Sequence, residues 1–133
     1  MDAEATVRAY YDAVRSGKPL APFFARDEST VKFGIGERLY GYSAIERGLQ
    51  QQTKTTTEWK LESDRLLVTE CDSYAWFSDE VFMAWTAGDG TRREFQSRWN
   101  GTVARRPDAP WEGSPPETPW RFVGMHVSAP GET

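Results

Sequence analysis

Histidine occurs once in this chain, at position 126, and cysteine once, at position 71. One histidine cannot supply the imidazole set of a catalytic zinc site. One cysteine can form neither an intramolecular disulfide nor a thiolate metal cluster. No metal and no cofactor is therefore expected. Basic excess is also missing: 16 Lys and Arg stand against 20 Asp and Glu, a net charge of −4. Nucleic acid is not an expected partner, because binding it takes a basic face that displaces counterions. No apolar run approaches the roughly 18 residues that a membrane span requires. The opening MDAEATVRAYYDAV is acidic and amphipathic, unlike a secretory signal. The expectation is a soluble cytoplasmic protein with no membrane partner.

What is present is one domain's worth of chain, 133 residues, read as a single unit over 1–133. At that length a chain buries roughly 68% of its unfolded surface, so no staple is needed. Six Trp, five Tyr and seven Phe offset a modest apolar fraction of 38% and predict an aromatic core.

Residues 3–16 read as a helix, with Ala3, Val7, Tyr10 and Val14 in one apolar stripe. Asp2 suits the N-cap and Gly17 the position past the C-terminus. PLAPFFA (19–25) suits a helical turn that tucks Phe23 and Phe24 inward, and STVKFGIG (29–36) a strand. Residues 41–52 read as a second helix, in which Ser43 and Glu46 have capping-box spacing. Strands follow over 55–71, 73–86, 91–106 and 120–128. Asp89-Gly90 marks a hairpin between the second and third. On 91–106, Phe95, Trp99 and Val103 share a face with Ser97 and Gly101, opposite the polar Gln96, Arg98, Asn100 and Thr102. The segment 107–119 holds five of the eight prolines and is read as an irregular connection.

Helices first and strands after define an α+β class. The N-terminal helices should cover the concave face of a curved antiparallel sheet. Such a sheet forms a cone whose open end is a natural pocket.

The order of these elements and the strings AYYDAVRSGK, FFARDESTVKFGIGERLYGYSAIERGL, AWFSDEVFM, RWNGTVARR and WRFVGMHVS resemble the nuclear transport factor 2-like superfamily, especially its SnoaL-like branch. The resemblance spans nearly the whole chain and implies the cone fold. It does not imply one activity, because the superfamily hosts isomerases, dehydratases, cyclases, ligand binders and assembly domains. Ketosteroid isomerase uses an aspartate base and an oxyanion hole of tyrosine and protonated aspartate. Carried onto this chain, its first-helix tyrosine falls on Tyr10 and its base on Phe33. After Glu94 no carboxylate follows before Asp108 to serve as the second acid. A mechanism that needs more than one histidine, as in the scytalone dehydratase branch, also fails.

The resemblance implies a pocket lined by Tyr10, Phe33, Trp99, Val123 and Met125, with Trp76 as a further candidate. Val127 has the same parity as Val123 and Met125. Tyr10 is either a hydrogen-bond donor to a ligand or a core tyrosine. Asp79 and Glu80 are the candidate acids or bases, since a carboxylate in an apolar cone can move a proton at neutral pH. Both faces of strand 73–86 are apolar, so parity does not choose between them. Arg98 and Arg121 read as surface arginines and Cys71 as a small hydrophobe. His126 alternates with the implied pocket residues, as in calcium/calmodulin-dependent kinase association domains, which the last strand resembles. With Trp120 and Phe122 it is then expected on the convex face, at a homodimer interface. The leading expectation is a pocket for a small apolar or aromatic molecule. The alternatives are an isomerase- or cyclase-like enzyme working by proton transfer and a dimeric assembly module.

Overall fold

A computed structural model describes residues 1–106 and 116–130. Its elements run α1 (Ala3–Ser16), a 3-10 turn (Ala21–Phe23), β1 (Val31–Gly34), β2 (Glu37–Tyr40), α2 (Tyr42–Thr55), β3 (Thr57–Ser63), β4 (Leu67–Glu70), β5 (Tyr74–Thr86), β6 (Arg92–Arg105) and β7 (Trp120–Ser128). The fold is α+β, with two helices packed on a curved, unclosed sheet of seven strands.

Helix α1 begins and ends where its caps predict. The Asp2 carboxylate accepts from the Ala5 amide, and Gly17 takes the left-handed conformation at φ 67°. Ala3, Val7, Tyr10 and Val14 are all buried. Helix α2 starts differently: Gly41 is its N-cap and makes no side-chain cap. Ser43 therefore lies one residue inside the first turn, and the expected capping box with Glu46 does not form. Glu46 instead accepts from the Tyr42 hydroxyl at 3.4 Å.

The sheet order is β2-β1-β7-β6-β5-β3, and β4 also pairs with β5. The strand expected over 29–36 is β1, followed by a tight turn into β2. One segment expected as a single strand is divided. Residues 55–71 give the end of α2, then β3 on one half of β5 and β4 on the other. The expected β5–β6 hairpin is continuous from Tyr74↔Ala104 to Thr86↔Arg92. One pairing, β1 with β7, is parallel. The proline-rich segment falls largely on residues 107–115, outside the described residues.

The core lies between α1 and the concave sheet face, and it is aromatic. Tyr10 meets Phe122, Phe23 and Phe24 edge-on at centroid distances of 5.2, 5.3 and 5.8 Å. Such contacts add about 0.5–1.5 kcal/mol each beyond area burial. Trp99 and Val103 are buried as their parity predicts, whereas Phe95 is half-buried.

The last strand departs from simple alternation. Thr102 pairs with Gly124, but Val103 pairs with Phe122, so Val123 is an extra residue in β7. A bulge of this kind flips the side-chain parity on either side of it. Trp120 and Phe122 therefore turn inward, at 1% and 0% exposure, and beyond the bulge Met125 and Val127 also turn inward. Trp120 and Phe122 belong to the chain's own core and not to the convex face where alternation put them. His126 is exposed on the outer face, as expected.

Candidate functional site

Tyr10 is placed by the apolar stripe of α1, Trp99 by the buried face of β6. Between them and the β1–β2 hairpin, the C-terminal half of α2 and the ends of β3 and β5 lies a cavity of about 310 Å³. Tyr10, Trp59, Trp85 and Trp99 form its aromatic wall. Lys32, Glu37, Gln51, Gln52, Thr55 and Thr56 supply its polar side.

Two of the four polar atoms of the aromatic wall are already engaged. The Trp99 indole donates to Ser97 Oγ at 2.9 Å, and that hydroxyl donates to the Val81 carbonyl at 2.6 Å. The Trp59 indole donates to Thr56 Oγ1 at 2.8 Å. Trp59 stacks on Trp85 at 4.8 Å, and Trp85 on Phe95 at 5.5 Å, so the wall is a braced surface. The Tyr10 hydroxyl makes no hydrogen bond among the described residues. Burial holds its pKa well above the usual phenol range, and the nearby charge of Glu37 adds to the shift.

Lys32 and Glu37 form an ion pair in the polar corner, with side-chain exposures of 7% and 35%. Glu37 is set opposite the hairpin's first strand by the pairing Gly34↔Glu37. Neither residue was singled out from the sequence. A lysine between Val31 and Phe33 reads as outward-facing, because lysine is almost never buried unless paired. The strand runs the other way: Lys32 faces in, and Phe33 faces out against Tyr40 and His126 at 5.7 and 5.9 Å.

The structure thus separates the expected site residues. Tyr10 and Trp99 line the cavity, and so does Val127. Phe33 does not, being one residue out of register with the inward position. Trp76 is 48% exposed on the outer face, stacked on Tyr74 at 6.0 Å. Met125 is buried but packs in the core beyond the cavity lining, and Val123, the bulge residue, is half-buried and also lies outside it. Glu80 is exposed on the outer face. Asp79 is 4% exposed and points inward. It accepts from the Tyr11 hydroxyl at 2.9 Å, Ser63 Oγ at 2.6 Å and the Arg65 amide at 2.9 Å. Of these donors Tyr11 ties α1 to the sheet, while Ser63 and Arg65 hold Asp79 at the end of β3; Asp79 is outside the cavity lining. Arg98 is exposed, as read from the sequence, but Arg121 is buried. Its guanidinium donates to the Thr118 and Trp120 carbonyls at 2.5 and 2.8 Å. Cys71 is half-buried. No cluster of three metal-ligating side chains exists among the described residues. No helix among them is long and apolar enough to cross a membrane.

Two helices packed on a curved, unclosed sheet match the cone fold of the nuclear transport factor 2-like proteins, as solved structures bear out. A protein of that superfamily from Salmonella enterica serovar Typhimurium is 19% identical, with a TM-score of 0.76 over 97% of this chain and 89% of that one. A ketosteroid isomerase-like protein from Erwinia carotovora atroseptica is 13% identical, with a TM-score of 0.71 over 97% and 94%. A protein of unknown function from Pectobacterium atrosepticum is 24% identical, with a TM-score of 0.68 over 98% and 89%. At these identities the likeness is one of fold. Among curated proteins none matches. The SnoaL-like domain family matches residues 3–132, and the chain belongs to it.

Proposed function

We propose that this chain is a cytoplasmic binder of a small, largely apolar or aromatic molecule held in the cone cavity. The observation that carries this reading is the cavity itself: about 310 Å³, walled by four aromatic side chains whose indole donors at Trp59 and Trp99 are already engaged. That volume is at the lower end of the range of small-molecule sites, and its few free polar groups are of the kind that orient a ligand. Proton-transfer catalysis has less support. Glu80 is exposed and Asp79 is held by three donors, so neither carboxylate faces the cavity.

The reading is tested with 2-acetylnaphthalene, a neutral aromatic ketone, followed through the indole N–H resonances. The signals of Trp59, Trp85 and Trp99 should move on titration while that of Trp76, on the outer face, stays still. If none of the three moves at millimolar ketone, the cavity is not a binding site for such molecules.

A second reading, assembly into a homodimer through the outer sheet face, is favoured by a separate observation. Tyr74 and Trp76 are exposed and stacked there, and Phe33, Tyr40 and His126 form another aromatic group on the same sheet. The two readings are compatible, since one uses the concave and the other the convex side.

A further inference from the structure

The charged corner of the cavity carries more than its aromatic wall, granted the ligand-binding reading above. A lysine ammonium has three donors. Glu37 takes one of them, and no other hydrogen bond or ion pair of Lys32 exists among the described residues. The two partners differ in how freely they can part. Lys32 rises from β1 with its side chain only 7% exposed, so little of it meets solvent. Glu37 opens β2 just past the turn and is 35% exposed, so it can swing into water and recover hydration. A buried lysine left without an anionic partner is strongly disfavoured. Whatever displaces Glu37 is therefore favoured if it brings its own negative charge.

Gly34 shows that the contact depends on a fold-back of Glu37. A Cβ at Gly34 would lie 2.5 Å from Glu37 Oε1 and 2.7 Å from its Cγ. The carboxylate occupies space that only a glycine leaves open. Tyr10 lines the same cavity, and its hydroxyl, which makes no hydrogen bond among the described residues, feels the charge of Glu37.

We propose that Lys32 is a carboxylate-binding site, that Glu37 fills it in the empty protein, and that the ligand is a small aromatic carboxylic acid whose carboxylate takes Glu37's place. The exchange conserves charge at Lys32 and releases Glu37 to solvent. The ligand's ring then lies among Tyr10, Trp59, Trp85 and Trp99.

Calorimetric titration of the full chain with 2-naphthoate and with the neutral 2-acetylnaphthalene tests this. Glu37→Gln and Gly34→Ala should each tighten 2-naphthoate roughly tenfold or more, with little change for the ketone. Gly34→Ala keeps both charges and crowds only a flexible side chain, so it decides the matter even if Glu37→Gln folds poorly. Lys32→Met should weaken 2-naphthoate by a similar factor and spare the ketone. If 2-naphthoate binds no better in either release variant, or is unaffected by Lys32→Met, the carboxylate site is refuted while ketone binding keeps the ligand-binding reading alive. If neither compound binds any variant, both readings fall.

Discussion

Tyr10 and Tyr11 are sequence neighbours, equally buried, and set to different tasks. The Tyr11 hydroxyl donates to Asp79 and locks α1 to the sheet, whereas Tyr10 lines the cavity and its hydroxyl makes no hydrogen bond among the described residues. Burial raises both pKa values, and the Asp79 charge and hydrogen bond raise that of Tyr11 further. Folded-state values above the unfolded phenol value mean that the folded chain holds these protons more tightly. The stabilisation is complete below about pH 10 and is lost as pH rises beyond it, at about 1.4 kcal/mol per pH unit for each group. Tyr10→Phe removes no protein hydrogen bond, so stability at pH 7 should change by less than about 1 kcal/mol. Its alkaline decline should be shallower than that of the parent by about 1.4 kcal/mol per pH unit. Tyr11→Phe strips a donor from buried Asp79 and should cost about 1–3 kcal/mol at pH 7. Urea denaturation from pH 7 to 11 measures both; a Tyr10→Phe slope equal to the parent's would refute the assignment. Tyr10 was legible in the sequence, from its place in the helix stripe and from the family resemblance. Lys32 and Glu37 were not, because only the hairpin pairing turns a lysine inward and gives it a carboxylate.

Among the elements, β7 shows how one extra residue redirects a strand. The Val123 bulge puts Trp120 and Phe122 in the core on one side and Met125 and Val127 on the other. Fully burying a residue such as Phe122 is worth about 1.5–3 kcal/mol, which readily outweighs a local break in the ladder. The neighbouring strand has adapted to this. A Cβ at Gly101 would lie 2.4 Å from the Gly124 carbonyl and 2.9 Å from the Phe77 ring, whereas one at Gly124 would meet nothing within 4 Å. Gly101→Ala should therefore destabilise by about 1–3 kcal/mol or more, because backbone must move, while Gly124→Ala stays within about 1 kcal/mol. Equal urea midpoints for the two variants would contradict the observed crossing of β6 and β7. A glycine in each of two adjacent strands was visible in the sequence. The bulge was not, since no local signal marks which residue of WRFVGMHVS is the extra one.

The whole molecule presents two faces of unlike character. The concave face is filled by α1 and the cavity. The convex face keeps Tyr74 and Trp76 at 47% and 48% exposure, with Tyr40 at 62% near the opposite edge. Large exposed aromatics of this kind are enriched at interfaces between subunits. Sedimentation velocity at tens of micromolar should find a dimer, and Tyr74→Glu with Trp76→Glu should return it to monomer without loss of fold. A parent chain that sediments as a monomer at those concentrations would rule the assembly out. His126, beside Phe33 on that face, is expected to shift its imidazole resonances with dimerisation and not with cavity ligands.

Local patterns determined the parts that depend on neighbours in sequence: the two helices, the cap at Asp2, the stop at Gly17, the Asp89-Gly90 hairpin and the buried face of β6. Helix periodicity and strand alternation report these directly, since each repeats over a few residues. The order of those elements, through the family it resembles, also determined the cone. Tertiary structure alone decided the rest. Which of two apolar faces of β5 turned inward, where β7 bulged, and that Lys32 rather than Phe33 entered the cavity each depend on register between strands distant in the chain. A shift of one residue in register exchanges the two faces of a strand, and no composition or spacing within that strand records which was chosen.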